Sequence, residues 1–137
     1  MSELGRRRLI QVGIAGAALL TVGGGALSWI TRGYALRAGE VAIGLSVKQM
    51  CVARAVVEAL TPGGDGLPSG LELEVHQRVD EQVWAADPGM ADDLRAALEL
   101  IEHVPPLLGG FGRFTALDLA SRQAVFDRLL RSRRDLF

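Results

Sequence analysis

Residues 46–60 read SVKQMCVARAVVEAL, and this stretch decides the fold class. Ser46 and Gln49 stand at capping-box spacing, in which the hydroxyl takes an orphan helix amide and the glutamine side chain reaches back to the cap's own N–H. Met50, Ala53, Val57 and Leu60 follow at steps of three and four, which places them on one face of an α-helix. Arg54 and Glu58 are spaced as a surface pair. Cys51 lies among Met50, Val52, Ala53 and Val56, the setting of a small buried hydrophobe rather than of a reactive thiol.

Downstream, the run from Thr61 to Gly70 holds two prolines and four glycines and cannot continue the helix. It is not a phosphate cradle, because it follows a helix, lacks a Gly-Lys-Ser/Thr ending and carries Asp65. A second helix is predicted over 71–86, with Leu71, Val75, Val79 and Val83 inward and Glu72, Glu74, Arg78, Asp80 and Glu81 toward water. Asp87-Pro88 then gives a cap followed by proline at the first helical position. The third helix carries the clearest stripe in the chain, Met90, Leu94, Ala97, Leu98 and Ile101, and Val104-Pro105-Pro106 stops it. Thr115-Ala116-Leu117-Asp118 reads as a further cap. The last helix is expected to turn Leu119, Phe126, Leu129 and Leu130 inward. No stretch alternates as a strand would, so the expectation is an all-α domain, a small bundle or orthogonal array of about four short helices.

Upstream, residues 1–30 have the layout of an export signal or membrane anchor: Arg6-Arg7-Arg8, then an uncharged run from Leu9 to Ile30. Arg6 and Arg7 with Leu9 and Ile10 resemble the twin-arginine translocation pattern. Five glycines lower the hydropathy of the run, which favours that route over general secretion. Ala26-Leu27-Ser28 offers small residues to a signal peptidase. As an uncleaved helix the run would reach about 33 Å, enough for a hydrocarbon core of about 30 Å, with Trp29 and Tyr34 at the far interface. Both readings place the rest of the chain outside the cytoplasm, periplasmic or on the outer face of the membrane. Residues 31–45, irregular and glycine-bearing, read as a linker, and 46–137 as the helical domain.

Hydrophobic residues make up 49% of the 137, and much of the excess lies in that N-terminal run. Setting aside Arg6, Arg7, Arg8 and Glu3 from 15 basic and 16 acidic residues leaves 12 and 15, a charge of −3 beyond residue 30. Such a balance gives no nucleic-acid footprint. The single cysteine excludes an intrachain disulfide and a thiolate-rich metal site. His76 and His103, the only histidines, have no neighbour at a recognised metal-site spacing and read as partly exposed side chains. Glu72, Glu74, Glu81, Glu99 and Glu102 fall on predicted wet faces, where nothing would shift them toward acid–base work. No catalytic, cofactor-binding or metal-ligating set emerges. Trp84, Phe111, Phe114 and Phe137 are the candidate partner anchors, because aromatic side chains dominate interface hot spots.

Taken in order, the twin-arginine-like start, the Pro62-Gly63-Gly64-Asp65 loop, the middle pair of helices and the late segment Phe114-x-x-Leu117-x-x-x-x-Arg122-x-x-x-Phe126-x-x-Leu129, followed by Arg131-Ser132-Arg133, resemble the gluconate 2-dehydrogenase subunit 3 family. The resemblance spans residues 5–11 and 46–134. It implies a small, non-catalytic subunit that binds no cofactor itself. It further implies a large flavoprotein dehydrogenase partner that holds FAD and oxidises sugars, sugar acids or related alcohols, with electrons leaving through that subunit or through a cytochrome. The small subunit would stabilise the large one and take it, folded, through the twin-arginine translocase. Two other readings remain open at this point: a membrane-anchored helical adaptor with no flavoprotein partner, and a small enzyme or metal-binding domain using His76 or His103.

Overall fold

A computed structural model describes residues 33–134, and the chain divides after Gly33, so that the unit described here begins at Tyr34. The expected export signal, with Arg6, Arg7, Leu9 and Ile10, and the C-terminal Phe137 lie outside the described residues. Four helices carry the fold: α1 (Val47–Leu60), α2 (Val75–Ala85), α3 (Pro88–His103) and α4 (Leu119–Arg134). Two short 3-10 turns, Pro105–Leu108 and Phe114–Ala116, connect the last two helices. No strand occurs among the described residues, only an isolated bridge between Gly64 and Leu67, and the domain is all-α. None of the described helices is long and apolar enough to cross a membrane.

Helix α1 starts where its sequence says. The Gln49 N–H donates to Ser46 Oγ at 3.1 Å, and the Ser46 N–H donates to Gln49 Oε1 at 3.0 Å, which completes the capping box. Its burial is wider than one stripe: Met50, Cys51, Val52, Ala53, Ala55, Val57 and Ala59 are all buried, because α1 touches each of the other three helices. Alanines at 53, 55 and 59 keep the helix thin enough to be approached from several sides. One apolar cluster joins Ala55 and Ala59 to Val104, Phe114 and Val125, with the Phe114 and Phe126 rings edge to face at 5.5 Å. The other joins Leu45, Ala53, Val83 and Ala91. Cys51 is buried, as its neighbours imply.

The connector after α1 turns through Asp65 and Gly66, both at positive φ, the backbone that a two-residue hairpin turn requires. Helix α2 begins at Val75 rather than Leu71, because Glu74 sits in the left-handed region at φ 54° and breaks the helical ladder. Asp87 caps α3 through the Met90 N–H at 3.1 Å. The cap of α4 is Asp118, not Thr115: its carboxylate accepts the Ser121 N–H at 2.8 Å, which lowers its pKa, and Thr115 lies in a 3-10 turn. On α4 the inward arc is Arg122, Val125, Phe126 and Leu129. Leu119 and Leu130 lie on its flank and are exposed, contrary to the sequence reading.

The largest departure concerns residues 34–45, expected to be a linker. They are bound onto the helices. The backbone N–H groups of Ile43, Gly44 and Leu45 all donate to the carboxylate of Asp80 on α2, at 2.8, 2.9 and 2.7 Å. The Tyr34 hydroxyl donates to Glu102 at the end of α3 at 2.5 Å. The boundary of the domain therefore lies at Tyr34, twelve residues before the first helix cap at Ser46.

Candidate interaction surface

Three carboxylates that could have suggested chemistry are turned inward and filled with donors. Asp80 is buried on α2 and accepts the three amides just named. Glu102, on α3, is 0% exposed, although the helical pattern places it on a wet face. Its oxygens accept the Tyr34 O–H, the Thr115 O–H at 2.6 Å and the Thr115 N–H at 3.0 Å, with Arg113 Nε 4.0 Å away. Burial, then the hydrogen bond to Glu102, push the Tyr34 phenol up to about 12. The Arg113 guanidinium lies over the Tyr34 ring, 4.8 Å from its centroid.

Glu40 completes a second knot. Arg54 donates to both of its oxygens, the Arg37 N–H donates at 2.8 Å, and His76 Nε2 approaches to 3.1 Å. The hydrogen bonds from Arg54 are the main reason that Glu40 is held down at about 2. Arg54 is thus claimed by Glu40, and the expected partner Glu58 instead meets Arg122 at 2.9 Å. His76 is buried, not partly exposed, with Nδ1 left without a hydrogen-bond partner. His103 is exposed, 3.3 Å from the Lys48 ammonium. No group of three or more His, Cys, Asp or Glu side chains among the described residues is arranged to hold a metal ion.

The surface shows a different kind of site. Trp84, in the last turn of α2, is 67% exposed. Met90 and Leu94 are exposed on α3, and so is Ala97. At about 100° per residue, these three lie about 90° around the helix from Ala91, Leu98 and Glu102, which face the interior. The apolar arc of α3 is therefore wider than the fold covers, and its uncovered half begins six positions after Trp84 in the chain. Large apolar side chains in an arc of this kind mark contact surfaces more often than single exposed leucines do.

A second feature lies after α3. The 3-10 turn Pro105–Leu108 and the loop after it form one wall of a groove of about 370 Å³, whose other wall is Leu117, Val125 and Arg128. Arg128 closes one end by donating to the Leu108 carbonyl at 2.6 Å. Phe111 is 92% exposed at the lip, and Leu107 is 77% exposed on the neighbouring turn. Of the expected anchors, Trp84 and Phe111 are on the surface, whereas Phe114 is not: it is the largest fully buried side chain, at the centre of the first apolar cluster. The Arg122 guanidinium approaches its ring, 5.9 Å from the centroid, and donates to its carbonyl.

These features define a small all-α domain with interior polar ties and exposed apolar arcs. No family model, curated protein or solved structure matches the chain.

Proposed function

We propose that this chain is a non-catalytic small subunit that stabilises, and helps to export, a flavin-dependent dehydrogenase acting on sugars, sugar acids or related alcohols. FAD belongs to the large subunit, and the pair works at the periplasmic or outer face of the cytoplasmic membrane. One observation carries the interaction half of this reading: the half-uncovered apolar arc of α3, Met90, Leu94 and Ala97, together with exposed Trp84 in the last turn of α2. A helix stripe this apolar is costly to leave in water, and a protein partner that covers it recovers roughly 25 cal/mol for each Å² removed from solvent. The saturation of Asp80, Glu102 and Glu40 by donors fits the same reading, since each is engaged in holding the fold. The identity of the partner rests on the resemblance of the Phe114–Leu129 segment and the arginine pair to the subunit 3 family.

The test is a pull-down of the tagged full chain from its native envelope, with protein identification and flavin absorbance read on the eluate. A yellow dehydrogenase lacking its own export signal should co-purify, and replacing Arg6 and Arg7 with Lys should leave both proteins in the cytoplasm. A colourless chain eluting alone would overturn the proposal in favour of a membrane-anchored adaptor.

A further inference from the structure

The uncovered side of α3 has a pattern of its own. Met90, Leu94, Ala97 and Ile101 recur at steps of four, three and four, and the first three are exposed while Ile101 is half-buried at the inner end of the row. That alternation keeps one seam facing a second helix. The seam is about 16 Å long at 1.5 Å per residue, which matches roughly three turns of a partner helix. Asp93 and exposed Leu100 flank it on the side away from the core. Asp93 stands one turn after Met90 and one turn before Ala97, so its carboxylate lies within the apolar arc. It makes no hydrogen bond or ion pair within the described unit, unlike Asp92, which accepts from Arg95 at 3.0 Å.

A surface that covers the arc strips water from Asp93, and a carboxylate losing its water without a counter-charge is costly. The covering surface therefore has to bring a cation. A second copy pairing α3 on α3 brings none: Arg95, the one arginine of that helix, is turned to the covered side, where it donates to the Gly44 carbonyl at 3.0 Å. An anionic bilayer surface would repel the carboxylate. We propose that the occupant of this face is an amphipathic helix of the large subunit proposed above, apolar along about three turns and carrying an arginine or lysine set to meet Asp93. The inference rests on the reading of the α3 arc as the partner's contact surface, and adds what kind of element covers it and what charge that element bears. Opposite charges at the edge of a helix seam fix register and choice of partner, so Asp93 selects the partner while Met90, Leu94 and Ala97 hold it.

The experiment uses the tagged full chain in its native envelope, with a photoreactive benzophenone residue at position 97 and recovery of the dehydrogenase measured alongside. The adduct should map to a stretch of the dehydrogenase whose apolar residues recur at steps of three and four beside a basic residue. Asp93→Lys should lower recovery at least about tenfold, as a like charge placed against a cation in an interface does. Asp92→Lys makes the same change of charge about 100° further around the helix and should leave recovery unchanged. Replacing the mapped basic residue of the dehydrogenase with Glu should restore recovery by Asp93→Lys, a rescue that a merely misfolded variant would not show. Unchanged recovery by Asp93→Lys, where Leu94→Asp still lowers it, would overturn the inference and leave the contact-surface reading standing. An adduct on a second copy of this chain, or on a stretch of the dehydrogenase without helical spacing, would also overturn it. Failure of the wild-type chain to recover any dehydrogenase would remove the reading and the inference together.

Discussion

Tyr34 is the only tyrosine in the chain, so the absorbance of its phenolate reports on one site. In the folded protein the phenol should ionise near pH 12, against about 10 in the denatured chain, with burial the larger cause and the Glu102 hydrogen bond the next. Glu102→Gln removes the charge but not the burial, so the midpoint should fall only part of the way. Ionisation of the folded wild type near 10 would mean that the Tyr34–Glu102 contact is absent in solution. Because the folded value is raised, the stability that this phenol contributes is present below pH 10 and is lost as pH rises through about 12. Glu40 behaves in the opposite sense. Its folded value is depressed to about 2, chiefly by Arg54, so its contribution is present above its unfolded value near 4.5 and is lost as pH falls toward 2. Glu40→Gln should cost about 3 kcal/mol at neutral pH, since it breaks a nearly buried pair. Thermal melts between pH 5 and pH 2 should then fall less steeply for the variant than for the wild type; parallel slopes would show that Glu40 is not the group responsible.

At the scale of elements, Gly44 is the position where the leading segment presses hardest on α2. A Cβ there would lie 2.6 Å from the Asp80 carbonyl oxygen and 2.6 Å from the Trp84 backbone nitrogen, and neither backbone can yield as a flexible side chain does. Gly44→Ala should therefore destabilise by about 1–3 kcal/mol. Gly89→Ala meets only the Asp87 carboxylate at 3.3 Å and should cost less. Equal denaturation midpoints for the two variants would contradict the close approach. Local chemistry made several element ends legible: Ser46 with Gln49 for α1, and Asp87 with Pro88 for α3. It failed where the signal was tertiary. Nothing in Leu71-Glu72-Leu73-Glu74 announces a left-handed residue, and the leucines there extend the helical pattern beyond its real start. Thr115 imitates a cap because it stands three residues before Asp118, yet its hydroxyl is used by Glu102, thirteen positions back.

For the whole molecule, the apolar arc of α3 and Trp84 supply the test of assembly. Leu94→Asp together with Trp84→Ala should leave the melting temperature close to wild type, because both side chains are already in contact with water, and should reduce recovery of the proposed large subunit at least about tenfold, as expected when a hot spot worth more than 1.4 kcal/mol is removed. Full recovery would direct attention to another face. The sequence showed that Trp84 and Phe111 were available and that α3 was strongly amphipathic. It did not show which half of that helix the domain would cover, since that depends on how α1 and α2 lie against it. For the same reason Asp80 and Glu102 were placed in water: helical periodicity says only which residues share a face, and the donors that draw both carboxylates inward include groups from a segment with no periodicity at all.

That segment sets how far the protein can be shortened. A chain begun at Ser46 would retain every described helix, yet it would strip Asp80 of three amides, Glu102 of a phenol, and Arg54 and His76 of their shared carboxylate. Buried groups left in that condition cost about 1–3 kcal/mol each, enough together to consume the reserve of a domain this small. Such a fragment should show helical circular dichroism without a cooperative melt, whereas one begun at Gly33 should melt in a single transition. For a protease, Tyr34 is thus the limit of harmless trimming, and a cut anywhere in the next dozen residues would dismantle the domain it leaves behind.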